Sequence, residues 1–162
     1  MQIRSATAED VAAITAIYNQ AVTDTTASFD LEPKSLEQRM AWFTGHGPRH
    51  PVIVAEVSGQ VVGWGSLSPY SERPAYDATV EISIYIDSSW HRRGIGAALG
   101  EQLIASARKI GLHAIIARIC TENEASLRMT RNLGFADAGV LHAVGFKFGR
   151  WLDVAQLELL LP

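Results

Sequence analysis

Residues Thr79 to Leu103 read TVEISIYIDSSWHRRGIGAALGEQL. The first part alternates, with Val80, Ile82, Ile84 and Ile86 on one face of an extended segment and Glu81, Ser83 and Tyr85 on the other, which predicts a strand carrying one carboxylate. A polar turn, Asp87-Ser88-Ser89, follows, and then Arg92-Arg93-Gly94-Ile95-Gly96. From there apolar residues recur at Ile95, Leu99, Leu103, Ala107 and Ile110, three or four apart, which predicts a helix opening on glycines. A strand feeding a short basic glycine loop at a helix start exposes backbone N–H groups at the positive end of the helix dipole, with no side chain in the way. Such a loop suits a phosphate.

The spacing excludes two familiar phosphate sites. A triphosphate loop needs Gly-x-x-x-x-Gly-Lys-Ser/Thr, and a dinucleotide fingerprint needs a third glycine with an acidic residue about 20 positions on; the chain has neither. Its 162 residues, 48% of them hydrophobic, suffice for one domain with a core, residues 1–162. The net charge of −3 gives no basic surface for nucleic acid or an anionic membrane, so the expected partner is a small molecule. Cys120 is the single cysteine, and the amino-terminal MQIRSATAED lacks the apolar core of a signal peptide; a cytoplasmic location is expected. No apolar run approaches the roughly 20 residues that span a bilayer. The five histidines are scattered without carboxylate or cysteine spacing, so no metal is expected.

Outward from the central stretch, Gln2 to Arg4 reads as a strand, and Thr7 with Asp10 as a capped start to a helix carrying Val11, Ile14, Ile17, Tyr18 and Ala21 on its inner face. Thr23 to Pro33 is expected to be a loop with Phe29 isolated among polar residues. Ser35 starts a second helix with the stripe Leu36, Arg39, Met40 and Phe43, stopped by Gly45 and Gly47. Pro51 to Val57 and Gln60 to Leu67, joined by Ser58-Gly59, read as a hairpin. Ser68 to Asp77, with Tyr70, Arg73 and Tyr76, reads as a loop. His113 to Cys120 is an almost continuous apolar run, expected to be a strand covered on both faces, and Cys120 an inert packed thiol. Asn123 to Phe135 reads as a helix terminated by Gly134. Ala136 to Leu161 reads as two strands joined by a connection in Gly145 to Trp151.

This order, together with three motifs, resembles the GNAT family, the Gcn5-related N-acetyltransferases. The motifs are His91-Arg92-Arg93-Gly94-Ile95-Gly96, the pair Asn123-x-x-Ser126 leading to Leu133-Gly134-Phe135, and the C-terminal GFKFGRWLDV, Gly145 to Val154. The last, with RMAWFTGH (Arg39 to His46), RPAY (Arg73 to Tyr76) and TVEISIYI (Thr79 to Ile86), is similar to stretches of the phosphinothricin and methionine sulfoximine acetyltransferases. The resemblance covers essentially the whole chain. It implies an α/β (α+β) GNAT fold, a mixed, mostly antiparallel sheet of about seven strands flanked by about four helices. It also implies acetyl-CoA as co-substrate, its pyrophosphate held by Arg92, Arg93, Gly94, Ile95, Gly96 and Ala97, and its pantetheine arm beside Asn123 and Ser126.

An amine attacks a thioester only as the free base, and a positioned carboxylate can take the departing proton. Glu81 is the candidate, and Thr79-Val80-Glu81 matches the family motif whose glutamate is assigned that role. The developing oxyanion needs a preorganised donor, expected in the main chain of Ser83 to Ile86, which makes Ile84, Tyr85 and Ile86 cofactor contacts. Thr130 stands where many members have a tyrosine proposed to protonate the departing thiolate, and where this subfamily often has histidine. Phe148 and Leu152 stand where phosphinothricin enzymes carry histidines, whereas FGRWLD matches the methionine sulfoximine type. A substrate bearing a carboxylate and a phosphinate or sulfoximine head calls for arginine forks, hydroxyls and an aromatic contact, and the candidates are Phe29, Arg73, Tyr76, Lys147 and Arg150.

The resemblance implies transfer of acetyl to the α-amine of a small amino-acid analogue by a homodimer. Two other readings stand beside it. One is a GNAT enzyme for another amine, such as a polyamine, an aminoglycoside or a protein N-terminus, for which an acidic pocket would be expected. The other is a non-catalytic acetyl-CoA-binding module.

Overall fold

The computed structural model describes residues 1–162. Seven strands and four helices follow in the order β1 (Gln2–Ser5), α1 (Val11–Asp24), α2 (Leu36–Thr44), β2 (Val52–Val57), β3 (Gln60–Pro69), β4 (Thr79–Ile86), α3 (Ile95–Ile110), β5 (Ala114–Cys120), α4 (Glu124–Asn132), β6 (Ala136–Lys147) and β7 (Arg150–Leu160). They form one sheet ordered β1-β2-β3-β4-β5-β7-β6. Every pairing is antiparallel except β4 with β5. The expected α/β architecture of seven strands and four helices is therefore the observed one.

Alternation along the strands builds two cores on opposite faces of the sheet. On β2, Val52 and Val54 pack with Ile14, Ile17 and Tyr18 of α1, while Ile53 and Ala55 pack with Leu99 and Leu103 of α3. Ile95, Leu99, Leu103 and Ala107, the predicted stripe of α3, are all buried. Each fully buried aliphatic side chain contributes about 1.5–3 kcal/mol of transfer free energy, and the α3 face holds the larger of the two clusters.

One reading of local structure is corrected. The connection expected across Gly145 to Trp151 is a two-residue turn, Phe148-Gly149, because both residues adopt positive φ (53° and 74°) and let Lys147 pair directly with Arg150. The second helix starts after Ser35 as expected; along it Leu36 is exposed, and the residue turned inward is Arg39. A cage of aromatic rings receives that cation, as described below.

The amino-terminal strand is locked by Asp10. Its carboxylate accepts from Arg4 Nη1 at 2.7 Å and Nη2 at 2.9 Å, and from the Thr7 amide at 2.8 Å. Arg4 in turn donates to Glu56 on β2 at 2.8 Å. The hydrogen bonds from Arg4, foremost, hold the Asp10 carboxyl below its ordinary value of 3.8. A depressed folded-state pKa means stability that is present above the unfolded value and lost as pH falls through the folded one. Asp10→Asn is therefore expected to cost about 1–3 kcal/mol at pH 7. The difference from wild type should shrink as urea unfolding is repeated below pH 3.8.

Candidate active site

The parallel pairing of β4 with β5 lasts three rungs, Thr79↔Ala114, Val80↔Ile115 and Glu81↔Ile116, and then stops. On its other side β4 stays paired with β3 as far as Ile86. From Ile82 onward the β5-facing edge of β4 is thus free of strand partners, and a crevice opens between the two strands. A space of about 110 Å³ there is lined by Ile82, Ser83, Ile84 and Tyr85 of β4, Ala117 to Cys120 of β5, and Asn123, Ser126, Met129 and Thr130. Asn123 caps α4 by accepting from the Ser126 amide at 3.3 Å, so both residues are fixed on the crevice wall.

The α3 entrance lies beside this crevice. Arg92 and Gly94 both have positive φ, 62° and 78°, so the chain turns sharply into the helix. Gly94 caps α3 without a side-chain hydrogen bond, leaving first-turn amides unengaged by any cap. At Gly96 a Cβ would come within 2.8 Å of Met129 Sδ, so the absence of a side chain lets α3 and α4 approach. Arg93 is stacked over Trp90 at 4.5 Å.

On the α1/α2 face lies a larger cavity of about 520 Å³. Its floor is a set of paired residues from β3 and β4: Trp64↔Tyr85, Ser66↔Ser83 and Ser68↔Glu81. Arg118 and Cys120 of β5 and Val154 of β7 complete one wall, and the segment Thr26 to Asp30, α2, Leu141 and Val144 form the roof. Glu81, Ser83, Tyr85, Arg118 and Cys120 border both this cavity and the crevice. The two spaces meet at Glu81.

Tyr18 and Tyr85 are held as hydroxyl donors. Burial, aided by the hydrogen bond to Asp30, pushes the Tyr18 hydroxyl up to about 12, and burial also raises Tyr85, which donates to the Ala27 carbonyl at 3.2 Å. Neither ionises near neutrality. Glu81 accepts from Arg118 Nε at 2.6 Å and also from Nη2.

Of the predicted substrate contacts, Phe29 lines the large cavity. Arg73 and Tyr76 lie outside its lining, on the Ser68 to Asp77 segment, where Tyr76 packs on Tyr70 at 5.4 Å and Tyr70 faces the Arg118 guanidinium at 6.0 Å. Lys147 is buried and donates to the Ser28 carbonyl at 2.6 Å, bracing the roof from behind. Arg150 is paired with Glu122 at 2.6 Å, away from both spaces.

Two cavity residues were not singled out from the sequence. Arg39, 6% exposed, lies over Trp42 at 3.8 Å and Tyr18 at 4.5 Å, with Trp64 at 5.2 Å. Its Nε and Nη2, Trp64 Nε1 and Ser66 Oγ are buried without hydrogen-bond partners, and no carboxylate lies within ion-pair distance of Arg39. Burial lowers its pKa, yet guanidinium does not lose its proton in proteins, so a positive charge stands at the cavity wall. Helical spacing hid it within an amphipathic stripe. The second is Arg118, masked by the apolar run around it.

The match to the acetyltransferase (GNAT) family extends over residues 14–135, and the chain belongs to that family. It is 39% identical to the L-methionine sulfoximine/L-methionine sulfone acetyltransferase of Pseudomonas paraeruginosa, covering 97% of this chain and 92% of that one. It is 36% identical to the phosphinothricin N-acetyltransferase of Streptomyces coelicolor, covering 98% and 95%. A phosphinothricin acetyltransferase from Sinorhizobium meliloti, solved in complex with acetyl-CoA, superposes with a TM-score of 0.96 at 34% identity, over 99% of this chain and 88% of that one.

The roof depends on one small residue. The Phe29 ring lies against Gly145 of β6, and a Cβ at 145 would overlap it. Gly145→Ala is expected to displace Phe29 and change the cavity while leaving the fold intact. Thermal unfolding within a few degrees of wild type, with a changed tryptophan emission from Trp42 and Trp64, checks this.

Proposed function

We propose that the protein is an acetyl-CoA-dependent N-acetyltransferase, a single domain over residues 1–162, that acetylates the α-amine of small amino-acid analogues of the phosphinothricin, methionine sulfoximine or methionine sulfone type. The observation that carries this reading is the meeting of crevice and cavity at Glu81. One opening fits a thioester arm and the other an amine, with a carboxylate between them. The relatives' substrates supply the class.

The residues present fit acetyl-CoA. The amides of Arg92 to Ala97 and the positive end of α3 would hold the pyrophosphate, Asn123 and Ser126 would flank the pantetheine arm, and the unpaired edge of β4 at Ile84, Tyr85 and Ile86 would receive it. The thioester then sits at the Glu81 end. Glu81 takes a proton from the substrate ammonium, directly or through a water, and the free amine attacks the carbonyl carbon. A main-chain N–H of the Ser83 to Ile86 segment stabilises the developing oxyanion. The C–S bond breaks, the nitrogen gives up its second proton to solvent as the amide forms, and coenzyme A leaves as the thiolate. Thr130, buried on the crevice wall, is not an acid of useful strength, and solvent supplies the proton to the thiolate.

An uncompensated arginine at the cavity wall favours an acceptor with an oxygen-bearing head over a polyamine, which would meet like charge there. The expected dimer belongs with this reading, supported by the exposed Val140, Val144, Phe146 and Trp151 on the terminal hairpin, and so do detoxification of such analogues and a cytoplasmic location, where acetyl-CoA is available.

The test is release of free thiol from acetyl-CoA with L-phosphinothricin, L-methionine sulfoximine and L-methionine sulfone compared side by side. Turnover of at least one is expected, with kcat/KM falling about 10²–10⁴-fold in Glu81→Gln at neutral pH. Absence of turnover with all three, while acetyl-CoA binds, would refute the substrate class. Arg39→Met is expected to raise KM for sulfone or phosphinate acceptors by about tenfold or more through loss of a charge-assisted contact, with KM for acetyl-CoA unchanged.

A further inference from the structure

Arg118 stands where the two openings meet, and its position follows from strand register. Glu81 and Ile116 form the last rung between β4 and β5, so the residue two further along β5 returns to the face that carries Glu81. The arginine therefore breaks the apolar run at the point where the strands part. Its Nε and Nη2 both donate to one oxygen, Glu81 Oε2, and its side chain makes no other hydrogen bond or ion pair. Two of five guanidinium donors, those of the Nε–Nη2 edge, are aimed at Glu81, and the fork is otherwise unspent.

Such a pair is poorly suited to permanence. The Arg118 side chain is 49% exposed and that of Glu81 26%, and ion pairs open to water are weak and readily exchanged. It also occupies half of the carboxylate, because Oε2 accepts both donors and only Oε1 is left to meet a substrate ammonium. An α-amino acid resolves both. Its ammonium and carboxylate sit on the same carbon, so an amine brought to Glu81 carries its carboxylate to Arg118. One intramolecular ion pair is then replaced by two intermolecular ones with no net change in charge: ammonium with Glu81, carboxylate with Arg118. The other charged groups lining the cavity do not compete for that place. Arg39, stacked on Trp42 and Tyr18, is the cation assigned above to the oxygen-bearing head of the acceptor, and Asp30 is engaged by the Tyr18 hydroxyl and Lys34.

We propose that Arg118 is the carboxylate fork of the acceptor site, exchanging Glu81 for the α-carboxylate of the substrate so that the base is freed when a carboxylated amine binds. The proposal rests on the amine-acetylation reading above and extends it. Arg118 becomes the residue that separates α-amino acids from plain amines.

The experiment compares L-methionine sulfone with 3-(methylsulfonyl)propan-1-amine, the same molecule without its carboxylate, on wild type, Arg118→Gln and Arg118→Lys. Steady-state kinetics and titration of the cavity tryptophan fluorescence are both recorded. Wild type is expected to prefer the carboxylated acceptor by about tenfold or more, and Arg118→Gln to reduce that preference to within about threefold, chiefly through acceptor KM. KM for acetyl-CoA should not move, and Arg118→Lys should restore part of the preference. An unchanged preference in Arg118→Gln, an effect confined to acetyl-CoA, or no preference in wild type would overturn the proposal. If neither acceptor is acetylated, the acetylation reading fails for this substrate, and the fluorescence titration decides alone. Discrimination in wild type that is lost in Arg118→Gln supports the fork, and equal or absent binding overturns it.

Discussion

β4 and β5 run together for three rungs and then part. A sheet that parts in its middle leaves backbone donors and acceptors without partners, which is costly in a buried setting unless something else satisfies them. Here the gap is flanked by α4 and the α3 entrance, so it is accessible and walled. The larger cavity reaches the same point from the opposite face. Three features gather about that parting: the Glu81 carboxylate on the last rung, Arg118 two residues beyond that rung on β5, and the glycine loop beside it.

The helices keep the parting open in different ways. α3 packs under β2, β3 and β4 through its buried aliphatic stripe, which fixes the position of its first turn relative to β4. α4 is amphipathic, with Leu127 and Thr130 turned inward and its polar start at Asn123 facing the crevice. The close approach permitted at Gly96 ties the two helices together. A shorter β4–β5 pairing would lose the register that places Glu81, and a longer one would close the crevice.

The fold was legible in the sequence because its signals are local. Period-two alternation in β4, the α3 stripe and the turn at Ser58-Gly59 each depend on neighbours within a few residues. Glu81 and the glycine loop were legible for the same reason, being held in one continuous stretch. The two arginines were not. Arg39 sits at a core position of an amphipathic helix, where only the arrival of Tyr18, Trp42 and Trp64 from three elements explains a buried cation. Arg118 acquires meaning only from the register of β5 against β4, which brings it to Glu81, 37 positions away in the chain. The hairpin connection was misplaced because positive φ at Phe148 is not written in a phenylalanine. Arg73, Tyr76, Lys147 and Arg150 were read from resemblance. The structure places Lys147 behind the roof and the other three outside the cavity lining.

The roof of the acceptor cavity is braced by a bond between Lys147 and Ser28, 119 residues apart, and by Phe29 lying on Gly145. The crevice walls, by contrast, are complete once the chain has passed Phe135. Even so, β5 is held by seven pairs to β7 against three to β4, so that wall too is steadied by the last hairpin. The large cavity closes only when the two distant segments meet, a late, long-range contact of the kind that slows folding. The cavity is thus the part of the molecule whose shape waits on the end of the chain.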